Sequence, residues 1–344
     1  MMNALIRLFP AEEQEFWKNI LNYEGLNEIR FRAGKALMAV AAGEDFFICR
    51  QGELVKNADE ARCITGTEIS RLLLHFCRYS PYAYEEELRE GFLTLEGGHR
   101  LGLVGQAVME DGKIKTIRNV SFMNLRIAHQ IKGAADEVLP LVYHEGEIRN
   151  TLIVSKPGGG KTTLLRDLIR QVSDGNRYGR GRIVGVVDER SELAGCFQGI
   201  PQNDLGIRTD VLDGCKKDIG MELMIRSMSP EILAVDELGR MSGERKTVKE
   251  AVRSGVKVFA TTHGEIRQEI CDPENRRIFD LMIGLERQDG KVRVKTCWEK
   301  NGGDETIRVS NDFSGQYGAG KNVCGKDFSG DPTFGAAGRD TGTD

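Results

Sequence analysis

Short apolar runs alternate with amphipathic helical patterns through the second half of the chain. Four of these runs are rich in valine and isoleucine, at residues 151–154, 183–187, 232–235 and 256–261. Parallel strands that are buried on both faces have such continuous apolar runs. The pattern therefore predicts a doubly wound, mostly parallel sheet flanked by helices, with ligand sites at the carboxyl ends of its strands. Two further runs around Asp289-Gly290, at residues 281–287 and 292–298, predict a closing hairpin at the sheet edge.

The first half of the chain mixes strand-like alternation with helical spacing. Helical spacing marks residues 11–21 and the segment after Thr65, where Thr65 and Glu68 form a capping-box pattern. Alternation or β-rich composition predicts strands at residues 27–32, 37–41, 46–49, 100–109, 113–117 and 119–128. Asp111-Gly112 is typical of a hairpin turn. These features predict an α+β N-terminal domain, followed by a helix over residues 134–148.

The pattern divides the chain into three parts. We expect the N-terminal α+β domain over residues 1–130 and the α/β domain over residues 131–300. Residues 301–344 hold ten of the 41 glycines, have few large apolar residues and show no periodicity. Such a segment has too little apolar surface to form a core, so it is predicted to be a disordered tail.

Composition and charge exclude several classes of protein. The chain has 40% hydrophobic and 29% charged residues and a net charge of −4, so no global positive charge attracts nucleic acid or anionic lipid. Its eight cysteines are scattered without a C-x-x-C pair, which is typical of reduced thiols and disfavours a zinc site. No apolar run approaches the ~20 residues of a membrane span, and no signal peptide is evident. We expect a cytoplasmic protein that meets a membrane through partners or its surface.

A glycine-rich loop between a predicted strand and a predicted helix carries the main chemistry. Its residues are Ser155, Lys156, Pro157, Gly158, Gly159, Gly160, Lys161, Thr162 and Thr163. This order of elements lets backbone N–H groups surround a phosphate at a helix N-terminus. In a Walker A loop of this kind, Lys161 would reach the β- and γ-phosphates of a nucleotide and Thr162 would bind Mg²⁺. Ser155 replaces the leading glycine of the motif, and the alternative is a loop that only connects the two elements.

A second motif, of the Walker B type, follows the predicted strand at residues 232–235. Asp236 and Glu237 end this strand. A carboxylate near the nucleotide suits Mg²⁺, so Asp236 is the candidate ligand and Glu237 is placed to polarise the attacking water. Many buried strands end in an acidic residue, but the phosphate loop upstream strengthens the assignment.

Three further groups are weaker candidates. Thr262 or His263, at the end of the predicted strand at residues 256–261, could sense the γ-phosphate, although a lone histidine is usually structural. Asp188 and Glu189 could supply a catalytic carboxylate or belong to a surface loop of mixed charge. Arg226 could contact phosphate or cap a helix C-terminus.

Five segments carry a resemblance to a known family. They lie at residues 96–100, 124–127, 187–192, 206–213 and 225–240. Over about residues 10–300 the chain resembles the stage III sporulation protein AA family, relatives of the type II and type IV secretion ATPases in endospore-forming bacteria. The resemblance implies an ATPase with a RecA-like P-loop NTPase domain. It also implies a hexameric ring that serves the membrane-spanning channel from mother cell to forespore.

The same resemblance implies roles for single residues. Asp188-Glu189 matches the family's acidic box and His263 its histidine box, and whether Glu189 or Glu237 is the main catalytic acid stays open. Arg118 and Arg126 lie at positions that resemble the strand leading to the inter-domain linker of secretion ATPases. An arginine there could act on the phosphate loop of a neighbouring subunit. The alternative is that both are solvated charges on an edge strand.

The sequence therefore predicts Mg²⁺-dependent ATP hydrolysis by a homo-oligomer that drives a membrane-associated sporulation channel through membrane-embedded partners. One alternative is a nucleic-acid-stimulated RecA-like ATPase, which the acidic net charge disfavours, so no nucleic-acid partner is expected. The other is a nucleotide-binding scaffold with little turnover.

Overall fold

Two large sheets organise the computed structural model, which describes residues 5–239, 242–288, 291–301, 304–309 and 318–320. The first sheet is antiparallel and has seven strands in the order β5-β4-β3-β1-β9-β8-β7. The strands of this part of the chain are β1 Leu26–Arg32, β2 Lys35–Ala36, β3 Met38–Ala41, β4 Glu44–Ile48, β5 Leu54–Val55, β6 Cys63–Ile64, β7 Phe92–Leu95, β8 His99–Glu110 and β9 Lys113–Arg126. Strands β2 and β6 form a separate two-stranded ladder.

The described residues of the same part of the chain include the α-helices α1 Gln14–Leu21, α2 Gly66–Phe76 and α3 Glu85–Glu90. Trp17 of α1 and Phe76 of α2 are buried in one apolar cluster with Phe31 of β1. The predicted capping box at the start of α2 is confirmed, because the Thr65 side chain accepts from the Glu68 N–H while the Glu68 carboxylate accepts from the Thr65 N–H.

The predicted Asp-Gly hairpin is also confirmed, but one strand boundary was wrong. Asp111 (φ 51°) and Gly112 (φ 74°) form the turn between β8 and β9. The predicted separate strand at residues 119–128 is the second half of β9. A shift of register opposite Gly105 and the positive φ of Asn119 (48°) mark a bulge inside one long strand. The local irregularity interrupts the alternation without ending the strand.

The second sheet has nine strands in the order β14-β13-β15-β16-β12-β17-β18-β19-β20. Its strands are β12 Thr151–Ser155, β13 Val184–Asp188, β14 Thr209–Asp213, β15 Ile232–Val235, β16 Lys257–His263, β17 Leu281–Gln288, β18 Lys291–Asn301, β19 Asp304–Val309 and β20 Gly318–Gly320. Strands β12 to β17 pair in parallel, and β17 to β20 pair antiparallel. The predicted mostly parallel sheet is thus confirmed, with β16 between the strands of the two sequence motifs.

Helices cover both faces of this sheet. They are α4 Leu139–Val142, α5 Lys161–Asp174, α6 Lys217–Met228, α7 Ser242–Arg253, α8 Ile266–Cys271 and α9 Pro273–Ile278. Leu165 and Leu168 of α5 share one apolar cluster with β13, whereas Met221 of α6 and Val248 of α7 belong to the cluster on the other face. Because helices bury both faces of the sheet, its parallel strands have continuous apolar sequences.

The predicted helix over residues 134–148 was wrong. Within it the structure has only α4, followed by a short hairpin of β10 Tyr143–His144 and β11 Glu147–Ile148. Pro140 lies in the first turn of α4 and disfavours helical backbone before it. Glu145 (φ 51°) and Gly146 (φ 83°) then form the hairpin turn. The buried Val138, Leu139 and Val142 produced the helix-like spacing.

The end of the second sheet corrects two further predictions. The hairpin of β17 and β18 is not at the sheet edge, because β17 also pairs with β12 and β18 pairs with β19. The predicted disordered tail begins too early, since β19 pairs along β18 and buries Ile307. Residues 310–317 and 321–344 of the predicted tail lie outside the described residues. The division of the chain into domains at residue 130 stays a prediction.

Candidate functional site

The glycine-rich loop connects β12 to the first turn of α5. Gly158 (φ 73°) and Gly160 (φ 89°) adopt left-handed backbone, which side chains other than glycine rarely adopt. A Cβ atom at Gly160 would lie 2.5 Å from the Val292 side chain, and one at Gly159 would collide with Ser155. The loop is therefore a close turn that leads into the N–H groups and the positive dipole end of α5, as an anion site requires.

Ser155 is compatible with this turn although the motif usually has glycine there. Its backbone pairs with His263 on β16 in regular strand register. Its hydroxyl donates to the Lys156 carbonyl at 2.9 Å. The serine side chain occupies the space under Gly159, which explains why a side chain at Gly159 would collide with it.

The Lys161 ammonium lies at the centre of the loop and is buried. Its Nζ is 3.3 Å from the Ser155 carbonyl oxygen and 3.0 Å from His263 Nδ1. Burial lowers the pKa of Lys161, against the opposing effect of the nearby Asp236 and Glu237 carboxylates. The structure thus brings the two predicted residues Lys161 and His263 into direct contact.

Thr162 and Asp236 meet beside the loop. The Thr162 hydroxyl donates to Asp236 Oδ2 at 2.7 Å, and the Thr261 hydroxyl donates to Oδ1 of the same carboxylate. Mg²⁺ prefers hard oxygen donors, takes one or two from protein and completes its shell with phosphate and water oxygens. An adjacent hydroxyl and carboxylate at a helix N-terminus therefore fit the ion.

Glu237 is the carboxylate that points toward the loop. Its Oε1 is 2.8 Å from His263 Nε2 and its Oε2 is 3.0 Å from Arg190 Nη1. Its backbone has positive φ (52°), held by a 2.8 Å hydrogen bond from its N–H to the Thr261 hydroxyl. Partial burial raises the pKa of Glu237, but the hydrogen bond from His263 and the charge of Arg190 outweigh it and lower the pKa overall. The carboxylate is ionised at neutral pH.

Asp188 and Glu189 are engaged elsewhere. The buried Asp188 carboxylate accepts three backbone N–H groups, from residues 192, 193 and 194, at 2.8–3.0 Å. Burial raises its pKa to about 6, against the effect of these hydrogen bonds. Glu189 accepts from Lys217 of α6 at 2.7 Å. Asp188 thus fixes a turn, and Glu189 forms an ion pair with a different helix from the one that begins at the loop.

A cavity of about 950 Å³ extends from the loop toward the first sheet. Its charged lining includes Lys161, Glu237, His263, Glu192 and Arg126, and its apolar lining includes Ile131, Val138, Leu285 and Val292. Arg126 lies at the rim with its side chain 64% exposed, 3.5 Å from Glu28. The structure therefore brings Arg126 to the cavity of its own chain.

Three of the weaker candidates do not line this cavity. Thr262 is buried and donates to the Leu238 carbonyl at 3.2 Å, which is a structural contact. Arg118 lies on β9 opposite Gln106. Arg226 is a surface residue of α6, with its side chain 80% exposed and 3.9 Å from Glu222.

Sequence reasoning missed Arg190, Glu192 and Lys217. Arg190 and Glu192 lie in the mixed-charge segment that follows β13, where only their position after a strand gave a signal. Lys217 is the first residue of α6. Their partners, Glu237, Arg100 and Glu189, are contacts between distant parts of the chain. Among the residues that the structure describes, no helix is both long and apolar enough to span a bilayer.

Comparison with known proteins gives one family and one fold. The family model described as "Sporulation stage III, protein AA" matches residues 8–304. Stage III sporulation protein AA of Bacillus subtilis (strain 168) is 38% identical over 309 residues, which cover 88% of this chain and 96% of that protein.

Two solved structures resemble the whole architecture. The pilus retraction motor PilT with bound ADP has a TM-score of 0.57 at 16% identity, with 84% of this chain and 83% of that chain covered. The Yersinia pseudotuberculosis ATPase DotB has a TM-score of 0.52 at 15% identity, with 86% and 81% covered. These identities show the fold alone. The expected α/β, RecA-like P-loop fold preceded by an α+β part is confirmed.

Proposed function

The chain belongs to the sporulation stage III protein AA family, and from this premise we propose that it is a Mg²⁺-dependent ATPase. One observation carries the proposal. Lys161 and Thr162 begin the helix after the glycine loop, and the Thr162 hydroxyl meets the Asp236 carboxylate at 2.7 Å. The two sequence motifs thus converge on the space where a nucleotide's terminal phosphates and Mg²⁺ would bind.

Each residue of the site has a role in this proposal. The backbone N–H groups of residues 156–163 bind the phosphates, and Lys161 exchanges its contact with His263 for the β- and γ-phosphate oxygens. Thr162 and Asp236 hold Mg²⁺, which when bound neutralises charge on the phosphates. Glu237 orients the attacking water, and His263, between Lys161 and Glu237, senses the γ-phosphate.

The geometry favours Glu237 over Glu189 as the main catalytic acid. Glu237 lines the same cavity as Lys161 and Thr162, and its carboxylate is ionised. Glu189 is paired with Lys217, whose side chain is only 9% exposed. Moving Glu189 to the loop would leave this ammonium without its counter-charge, which is costly at a largely buried site.

The proposal extends to the assembly. By family membership, the protein acts as a homo-oligomer, a hexameric ring, and drives a secretion-like channel between mother cell and forespore through membrane-embedded partners at the cytoplasmic face. Arg126, which lines its own chain's cavity, acts there on the nucleotide. Its action on a neighbouring subunit's loop is an alternative, which a rise of turnover per subunit with protein concentration would support.

The test is steady-state phosphate release from ATP with and without Mg²⁺, for the natural protein and Lys161→Ala. We expect Mg²⁺-dependent turnover that Lys161→Ala abolishes, together with much weaker binding of a fluorescent ATP analogue. Near-normal turnover in Lys161→Ala would contradict the loop assignment. Turnover that needs added single-stranded DNA or RNA would favour a nucleic-acid-stimulated motor, and binding without turnover would favour a scaffold.

A further inference from the structure

A chain of hydrogen bonds joins the phosphate loop to an arginine outside it. Lys161 Nζ lies 3.0 Å from His263 Nδ1. Because an ammonium can only donate, His263 Nδ1 accepts, and the proton of the neutral imidazole is then on Nε2. That Nε2–H donates to Glu237 Oε1 at 2.8 Å. The other oxygen, Glu237 Oε2, accepts from Arg190 Nη1 at 3.0 Å.

The two donors approach Glu237 from different elements. His263 is the last residue of β16, and Arg190 lies in the turn after β13. With a hydrogen bond from His263 alone, the Glu237 carboxylate could rotate about its Cγ–Cδ bond while keeping that hydrogen bond. A second donor on the other oxygen fixes the plane of the carboxylate as well as its position.

The turn that carries Arg190 is held on both sides. Asp188, two residues before it, accepts the N–H groups of residues 192–194. Ser191, directly after it, has positive φ (52°), and its hydroxyl donates to Asp213 Oδ1 at 2.6 Å. A backbone fixed at both ends presents the arginine side chain in a defined direction, unlike one on a long free loop.

From these contacts we propose that Arg190 is a positioning residue, which holds the Glu237 carboxylate in the orientation that directs water at the γ-phosphate. The assignment rests on the proposed ATPase function. The Arg190 and Glu237 side chains are 65% and 27% exposed. Exposed ion pairs contribute little to folding stability, so the effect of Arg190 falls on the geometry of the carboxylate.

The test compares Arg190→Ala and Arg190→Lys with the natural full-length protein, using ATP turnover as a function of ATP concentration and thermal unfolding of each protein. We expect Arg190→Ala to lower kcat ~10-fold while KM changes less than about twofold, because a misdirected carboxylate affects the chemical step. Arg190→Lys should recover part of kcat, since one donor nitrogen contacts Glu237. The matched control is Arg226→Ala, on the exposed surface of α6, which should behave as the natural protein.

Two outcomes would overturn the role proposed for Arg190 and leave the ATPase proposal intact. One is an Arg190→Ala protein with the kcat of the natural protein. The other is a loss of kcat accompanied by a lower Tm, with no recovery in Arg190→Lys, which would indicate a structural residue. Absence of hydrolysis by the natural protein would overturn the ATPase proposal and this assignment with it, so the two failures are distinguishable.

Discussion

Replacing Glu237 and Glu189 in turn by glutamine separates two carboxylates that follow neighbouring strands. Glutamine keeps the shape of Glu237 but cannot orient water as a carboxylate does. Positioned acid–base groups contribute about 10²–10⁴-fold to rate. We expect Glu237→Gln to lower kcat by ~10² or more, which corresponds to at least ~2.7 kcal/mol in the barrier. ATP binding should survive, because Lys161 and the loop are unchanged.

Glu189→Gln should lose more folding stability than Glu237→Gln, which is the reverse of their expected order in lost turnover. Glu237 is partly exposed and pairs with the exposed Arg190. Loss of such a pair changes the free energy of unfolding by ~1 kcal/mol or less. Glu189 pairs with Lys217, whose side chain is 9% exposed. Glu189→Gln removes the carboxylate that Lys217 contacts, and we expect a loss of ~1–2 kcal/mol, hence a Tm lower by ~2–4 °C.

The assay combines steady-state phosphate release, equilibrium binding of an ATP analogue and thermal unfolding on the same three proteins. The reasoning predicts a crossed result, in which Glu237→Gln loses turnover and keeps its Tm while Glu189→Gln mainly loses Tm. A larger loss of kcat in Glu189→Gln, with ATP still bound, would refute it and assign the catalytic acid to the acidic box after β13.

Three other predictions concern the loop, the last described strands and pH. Gly160→Ala should weaken binding of an ATP analogue at least ~10-fold, because alanine is strained at φ 89° and its methyl group would meet Val292. The control is Gly255→Ala, at similar φ but in open space. Equal binding by the two variants would contradict the close turn at Gly160. A chain that ends at residue 301 should melt ~3–6 °C below one that ends at residue 309, because only the longer chain keeps β19 and the buried Ile307, worth ~1.5–3 kcal/mol. Equal Tm values would mean that β19 adds no stability. Burial raises the Asp188 pKa to about 6, so the folded protein retains a proton that the unfolded chain releases near pH ~4. The contribution of this carboxyl to the free energy of unfolding should therefore fall as pH rises from ~4 to ~6. Urea unfolding should show this trend in the natural protein and not in Asp188→Asn.

Several local features of this protein could be predicted from the sequence because the interactions that form them span only a few residues. The capping box joins Thr65 to Glu68, and the β8–β9 turn needs only Asp111-Gly112. The glycine-rich loop depends on a strand, three glycines and a helix that are contiguous in the chain. Burial on both faces of the sheet produced the apolar runs of β12, β13, β15 and β16.

The same local patterns failed where burial did not imply regular structure. Val138, Leu139 and Val142 are buried with helix-like spacing, yet most of that segment is turn and hairpin. Strand β19 lies in a glycine-rich segment, and its pairing with β18 decided its structure. Local composition carries no information about such a partner.

Tertiary structure alone decided which acidic residue meets the loop. Asp188-Glu189 and Asp236-Glu237 both follow buried strands, and sequence left both as candidates. In the sheet, β15 is two strands from β12 and β13 is three. At ~4.8 Å per strand, β15 lies ~10 Å from β12, the strand that precedes the loop, whereas β13 lies ~14 Å from it. The acidic pair after β13 is therefore farther from the loop than the pair after β15. Strand order arises from long-range pairing, so the contacts of Glu237 with His263 and Arg190 and of Glu189 with Lys217 exist only in the folded chain.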